Sequence, residues 1–296
     1  MGIEEFLNYE KENKKVSSNT IEAYKQDMYE FQRFLSSRGI SSLKDATNTT
    51  VVAYLMELKN DGKAKATVNR KLSSMRAFYR FLVNNGEVKD NPTEDIKSPR
   101  IARKEIAYLT IEEVNTLLEL PDDSIKGKRD RAMLEVLYAT GIRVSEIVEL
   151  KLSDVNMRMG FVTCNGNHAK ARIVPIGTPA KKALADYIEN SRKVLMRKQD
   201  AEAMDGILFA NYVGEPFTRQ GFWKVLKRYG EKTDFADKIT PQVLRNSFAV
   251  HMVQNGIDML SLQELMGHED ITATQVYFGV AKSRIKDAYD RTHPRA

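Results

Sequence analysis

Two stretches in the second half of the chain carry side chains suited to work on a phosphodiester. The first is Ala139-Thr140-Gly141-Ile142-Arg143-Val144-Ser145-Glu146, with Arg143 just beyond a glycine at the expected start of a helix. The second opens at Thr240-Pro241-Gln242-Val243-Leu244-Arg245-Asn246-Ser247 and runs through Leu265-Met266-Gly267-His268 to Thr274-Gln275-Val276-Tyr277. Guanidinium groups stay charged and fit phosphate oxygens, and an activated tyrosine hydroxyl is a nucleophile. Each piece alone has a plain structural reading: an arginine near a turn, a surface arginine, a helix-capping histidine, a tyrosine in an amphipathic run. Their order and intervals together argue for chemistry. No GxxxxGK, GxGxxG or HExxH sequence is present, and the four histidines, His168, His251, His268 and His293, fall in no metal-ligand spacing. No metal or other cofactor is therefore expected. A protein working on phosphodiesters without them must balance transition-state charge with its own cations.

The elements that would position these residues follow from periodicity. A chain of 296 residues favours two domains, and 42% hydrophobic with 29% charged residues suits a soluble protein. The net charge of +6 is a mild basic bias that decides nothing alone. Cys164 is the only cysteine, so no internal disulfide can form. The amino-terminal residues are broken by charges, unlike a signal peptide, and no apolar run could span a bilayer, so no membrane association and a cytoplasmic location are expected. Ile21, Tyr24, Met28, Phe31 and Leu35 form one helical stripe, capped by oxygens of Ser17 to Thr20. Further helices fit Val51 to Leu58 and about 66–83. In the second half, Thr110-Ile111-Glu112-Glu113 is a capping box opening a helix. More helices follow at 127–140, 143–150, 178–197 and beyond 218. A hairpin pairs Phe161–Cys164 with Arg172–Ile176, and a short strand fits Ile207–Ala210.

The third helix carries a second signal. Lys63, Lys65, Arg70, Lys71, Arg76 and Arg80 occur with no acidic residue between Gly62 and Gly86. A solvated basic face is the plain reading. A solvent face gains from mixed-charge pairs that this helix lacks within itself, so contact with a nucleic-acid backbone is expected. Residues 90–104 read as a linker, whose Arg100 and Arg103 suit a strap along phosphates.

These motifs resemble those of the tyrosine recombinases, within them the Xer type, and the resemblance spans the whole chain. Thr140 to Glu146 matches the segment of the first catalytic arginine. Gln242/Arg245, Gly267-His268 and Tyr277 match in part a His-x-x-Arg, a Leu-Gly-His and the nucleophilic tyrosine. The resemblance implies a mainly α protein of two domains: a four-helix-type, SAM-like core-binding domain at 1–100 and a mostly helical catalytic domain with a small β-sheet at 106–296, joined at 101–105. They would form a C-shaped clamp on duplex DNA. Four protomers would assemble on two sites, possibly with a related recombinase, each docking its segment 278–296 onto a neighbour.

The roles implied are specific. Arg143 and Arg245 clamp the non-bridging oxygens, and Tyr277 attacks phosphorus to give a 3′-phosphotyrosine and a free 5′-hydroxyl. Lys170, on the hairpin, protonates the departing oxygen. His268 donates to the phosphate, and Glu146 orients or screens Arg143. The chain departs from the family pattern at three places. Gln242 stands where histidine is usual, and an amide cannot accept a proton near neutral pH. Asn246 also stands where histidine is common. Counting back from Val174-Pro175 puts the usual lysine at Asn167, so Lys170 must reach in from farther along. Two other readings stand beside a recombinase: a type IB topoisomerase-like enzyme, and a DNA-binding accessory protein disabled at Gln242 and Asn167. Two intact arginines, His268 and Tyr277 argue against the second, while the tail and amino-terminal domain argue against the first.

Overall fold

The computed structural model describes residues 2–14, 16–99, 105–165, 171–196 and 206–280. The chain divides into two compact units, Met1–Lys104 and Glu105–Ala296. Among the described residues no helix is long and apolar enough to cross a membrane.

The first unit is built on α1 (Ile3–Glu12), α2 (Ser18–Ser37), α3 (Asn48–Asn60) and α4 (Lys65–Asn84). Ser17 and Thr47 cap α2 and α3 by accepting from the amides of Thr20 and Thr50. Helix α1, which the charge-broken sequence does not single out, buries the narrow stripe Ile3, Phe6 and Leu7. These join Met28, Phe31 and Leu35 of α2 and Leu72, Met75, Phe78 and Leu82 of α4 in one core.

Not every cation of helix α4 faces solvent. Lys71 is only 3% exposed. Its Nζ lies 3.0 Å from Asp27 Oδ1 and 2.5 Å from Glu30 Oε2. Arg70 Nη1 sits 2.6 Å from Asp27 Oδ2, and the Ser74 hydroxyl donates to the same oxygen at 2.7 Å. The absence of acidic residues within α4 is uninformative about α2, whose Asp27 lies in the apolar stripe and needs partners once buried. Arg76 is committed to the following segment, donating to Ser98 Oγ at 2.9 Å and to the Ile96 carbonyl. Asn69 Nδ2 donates to the Pro99 carbonyl at 3.0 Å. Residues 96–99 are thus tied to the first unit rather than forming a loose strap. Lys63, Lys65 and Arg80 are exposed, whereas Arg100 and Arg103 lie outside the described residues.

The second unit opens with α5 (Ile111–Glu119), entered through the reciprocal box of Thr110 and Glu113. Then come α6 (Ile125–Thr140) and α7 (Val144–Glu149). An antiparallel sheet of order β1-β2-β3 follows, from β1 (Val155–Asn156), β2 (Phe161–Cys164) and β3 (Arg172–Pro175). Val162 pairs with Val174 and Cys164 with Arg172, as a hairpin requires. Helix α8 (Thr178–Tyr187) continues through a wider turn at Ile188–Arg192 to Leu195. Next are α9 (Arg219–Gly230), α10 (Pro241–Gln254) and α11 (Met259–Met266), and residues 272–280 are helical. The run Ile207–Ala210 is not a strand; it forms only an isolated bridge between Ala210 and Pro216. Side chains take the hydrogen bonds a strand would use: Arg192 Nε donates to the Ile207 carbonyl, and the Tyr187 hydroxyl to that of Leu208.

Candidate active site

Two glycines set the frame. Helix α6 ends at Gly141 with φ +58°, where a Cβ would lie 2.1 Å from Phe248 Cδ1. Only glycine permits that turn, which puts Arg143 at the cap of α7. Helix α11 ends likewise at Gly267, φ +61°, where a Cβ would come within 2.8 Å of the Arg172 guanidinium. Arg245 of α10 and Arg143 each anchor on one of the two turns. Arg245 Nη1 donates to the Gly141 carbonyl, and Arg143 Nη2 donates to the Gly267 carbonyl at 2.8 Å.

Two more bonds complete a row. Arg245 Nη2 donates to the Met266 carbonyl at 2.7 Å, and Arg172 Nε to the Leu265 carbonyl at 2.8 Å. Three consecutive carbonyls at the end of α11 therefore each hold one arginine. A helix leaves its last carbonyls without internal partners, and they carry the negative end of its dipole. Dipoles hold the guanidinium groups in place without cancelling their charge.

One carboxylate joins them. Glu146 Oε2 accepts from the Arg143 backbone N–H at 2.7 Å, while Arg143 Nη1 lies 3.4 Å from Oε1. The same carboxylate takes both terminal nitrogens of Arg172, at 2.7 and 2.9 Å. Burial alone would raise its pKa, but the bonds from Arg172 and Arg143 outweigh burial and hold the carboxyl below its ordinary range. Glu146 therefore spans two arginines, one of which, Arg172, the motif reading missed. A signal existed: Arg172 shares the inward-facing side of β3 with Val174, an unusual place for a charge.

Arg245 is 4% exposed. Burial, then the charge of Arg143, brings its pKa down to about 10, still protonated at neutral pH. His268 Nε2 lies 3.2 Å from Arg245 Nη2, and Nδ1 lies 2.9 Å from Thr274 Oγ1. A guanidinium offers no acceptor, so Nε2 accepts and the ring proton sits on Nδ1 toward Thr274. Burial, then the charges of Arg245, Arg143 and Arg172, lowers the imidazole pKa to about 4, so the ring is neutral at pH 7.

The Tyr277 ring stacks on His268 at 6.3 Å and 10°. Burial raises its phenol pKa, with Arg245 pulling the other way. Its hydroxyl donates to Asn246 Oδ1 at 3.1 Å, and Gln242 Nε2 donates to that same oxygen at 2.9 Å. Gln242 is exposed, and its side chain bonds Asn246 rather than Arg245. One chain thus gathers Arg143, Glu146, Arg245, His268 and Tyr277, with Gln242 at the rim. Lys170 and Asn167 lie outside the described residues.

Residues 107–284 match the phage integrase family, and residues 3–86 match the phage integrase N-terminal SAM-like domain. Over 296 residues the chain is 39% identical to tyrosine recombinase XerD of Halalkalibacterium halodurans, covering 99% of this chain and 98% of the relative. It is 40% identical over 295 residues to tyrosine recombinase XerD of Oceanobacillus iheyensis, with the same coverage of both. The fold is similar to that of XerH site-specific recombinase bound to a palindromic difH substrate, with a TM-score of 0.75 and 20% identity over 97% of this chain and 84% of that one. It is also similar to a lambda integrase dimer bound to a core site, with a TM-score of 0.69 and 18% identity over 94% of this chain and 95% of that one. With its two glycine-framed arginines and its tyrosine gathered in one cluster, the chain belongs to the phage integrase family and is a site-specific tyrosine recombinase, an enzyme of DNA strand transfer.

Proposed function

We propose that the arginine cluster binds one scissile phosphodiester of a DNA recombination site and that Tyr277 attacks it. The observation that carries this reading is the anchoring of Arg143 on the Gly267 turn and of Arg245 on the Gly141 turn, with Arg245 bonded to His268, on which Tyr277 stacks. The Arg143 side chain is 40% exposed, so its guanidinium can reach a ligand. Arg245 keeps its Nε hydrogen and one Nη1 hydrogen beyond the bonds described. As the Tyr277 oxygen bonds to phosphorus, the bond to the 5′-oxygen breaks. A 3′-phosphotyrosine and a 5′-hydroxyl result, the latter protonated by Lys170. The phenol proton passes to solvent, because neither amide can take it. One phosphodiester is exchanged for another, so a 5′-hydroxyl can reverse the step without ATP. To donate to the phosphate, His268 moves its proton to Nε2, and the Thr274 hydroxyl, which can donate as well as accept, then supports Nδ1.

Lys63, Lys65, Arg80, Arg100 and Arg103 are the cations we assign to the DNA backbone. XerH and lambda integrase, both similar in fold, are bound to DNA in their solved structures, which supports duplex DNA as the partner. Four protomers on two sites, with segment 278–296 docking in trans and action in the cytoplasm, complete the reading. The test is a nicked suicide substrate that traps the covalent product. Tyr277→Phe should retain DNA affinity and form no adduct; undiminished adduct would place the nucleophile elsewhere.

A further inference from the structure

Asn246 is tied to more of its surroundings than its motif position requires. Its Nδ2 donates to the Ala107 carbonyl at 3.0 Å, while its Oδ1 receives the Gln242 amide at 2.9 Å and the Tyr277 hydroxyl at 3.1 Å. The Ala107 carbonyl fixes the orientation, since a flipped amide would set oxygen against oxygen there. The next residue is braced on the same segment: the Leu109 N–H donates to Ser247 Oγ at 2.8 Å. Residues 107–109, where the chain enters the second unit, therefore hold two consecutive positions of α10 beside the tyrosine.

We propose that Asn246 is a positioning residue that latches the Tyr277 hydroxyl as a bound proton donor until the scissile phosphate is engaged. The proposal rests on the reading of Tyr277 as the nucleophile. An amide oxygen accepts a hydrogen bond but cannot take the proton, so the phenol stays neutral while the bond lasts. Tyr277 has no hydrogen bond to Arg143 or Arg245, and its hydroxyl is directed to Asn246 instead. The hydrogen must turn away from Asn246 before the oxygen can release it and attack. Gln242, bonding the same Oδ1 from the exposed side, holds that acceptor in place.

Two substitutions at this position push the phenol in opposite directions. Asn246→Leu keeps the size and removes the acceptor, whereas Asn246→Asp supplies a stronger, charged one. In the full-length protein with ring-labelled tyrosine, the Tyr277 resonance is assigned by its loss in Tyr277→Phe and then titrated. Asn246→Leu should lower the Tyr277 pKa by about half to one unit, and Asn246→Asp should raise it. Adduct formation on a nicked substrate at pH 7 should be about two- to tenfold faster for Asn246→Leu. A change in packing alone would not move the two variants apart. Equal pKa values in both variants, or slower adduct formation by Asn246→Leu at native DNA affinity, would overturn the latch. If the leucine variant does not fold, the aspartate titration decides, and an unchanged or lower pKa refutes the proposal. An adduct formed by Asn246→Leu combined with Tyr277→Phe would instead sink the nucleophile assignment, and the latch with it.

Discussion

The cations of α4 and the arginines around α11 are the same residue types under opposite electrostatic regimes. On α4, Lys71 and Arg70 meet the carboxylates of Asp27 and Glu30, so their charge is neutralised within the first unit. Around α11, Arg143 and Arg172 share one carboxylate, Glu146, and all three arginines, Arg245 included, are held by carbonyl dipoles. Carboxylates stabilise a fold by cancelling charge, whereas dipoles fix a guanidinium and leave its charge to act on a ligand. Burial lowers the pKa values of Arg245 and His268, and the charges of the neighbouring arginines lower them further. A count of basic residues would rank α4 above the catalytic cluster; their partners reverse the order.

The largest effect expected from this contrast is at Arg245. Arg245→Lys keeps one charge but cannot bond the Gly141 and Met266 carbonyls and a phosphate together, because an ammonium lacks the planar fork. Single-turnover cleavage should fall roughly 10²–10³-fold, as for loss of one transition-state donor. A fall of less than about tenfold would mean that charge alone suffices. Next is Lys71. Lys71→Met should destabilise the protein by about 2–3 kcal/mol in urea unfolding, below the cost of a fully orphaned buried charge because Arg70 and Ser74 still bond Asp27. It should leave the salt dependence of DNA binding unchanged, whereas Arg80→Gln should flatten the log K against log salt slope by about 0.9. A flatter slope for Lys71→Met would restore that lysine to the DNA-contacting set.

How much of this was legible in sequence depends on whether a residue's partner lies nearby in the chain. The Gly141–Arg143 turn, the Thr110 capping box and the Phe161–Cys164 hairpin strand are local, and local rules find them. The stripes that build α2 and α4 are also local, and they contain the anomaly that betrays Asp27 and Lys71: each charge stands on the buried side of its own helix. That the two meet across 44 residues is a tertiary fact no window on α4 contains. Arg172 escaped for a similar reason. Its inward position on β3 is visible as alternation, but its partner Glu146 lies 26 residues earlier on another element. Asn246 was visible as a departure from the family pattern; its bond to Tyr277, 31 residues on, was not.

A smaller effect follows from the neutral state of His268. Its folded pKa of about 4 lies below the unfolded value of about 6.5, so the unfolded chain takes up the proton first as pH falls. Stability is therefore full above about pH 6.5 and declines toward pH 4. Partial exposure of the ring limits the loss to on the order of 1–2 kcal/mol. His268→Gln should remove that component from the difference in Tm between pH 7 and pH 4.5. An unchanged pH dependence would mean that burial and the neighbouring arginines do not hold the ring neutral.

The smallest effect concerns Thr274, which has no charge and bonds His268 rather than an arginine, yet governs which nitrogen of His268 carries the proton. Its hydroxyl is fully buried against Nδ1 at 2.9 Å. Accepting from Nδ1–H, it favours the tautomer in which Nε2 takes a bond from Arg245; donating to Nδ1, it favours the tautomer that can donate to a phosphate. Thr274→Val keeps the shape and removes both options. Nδ1 then loses its partner in either tautomer, at about 1 kcal/mol, so cleavage should slow about fivefold while DNA affinity holds. Thr274→Ser restores the hydroxyl and should recover most of the rate, which separates the hydrogen bond from the packing of a β-branched side chain. Native-rate cleavage by the valine variant would mean that the tautomer is set by Arg245 alone, and the carbonyl-held arginines would then govern His268 as well as the phosphate.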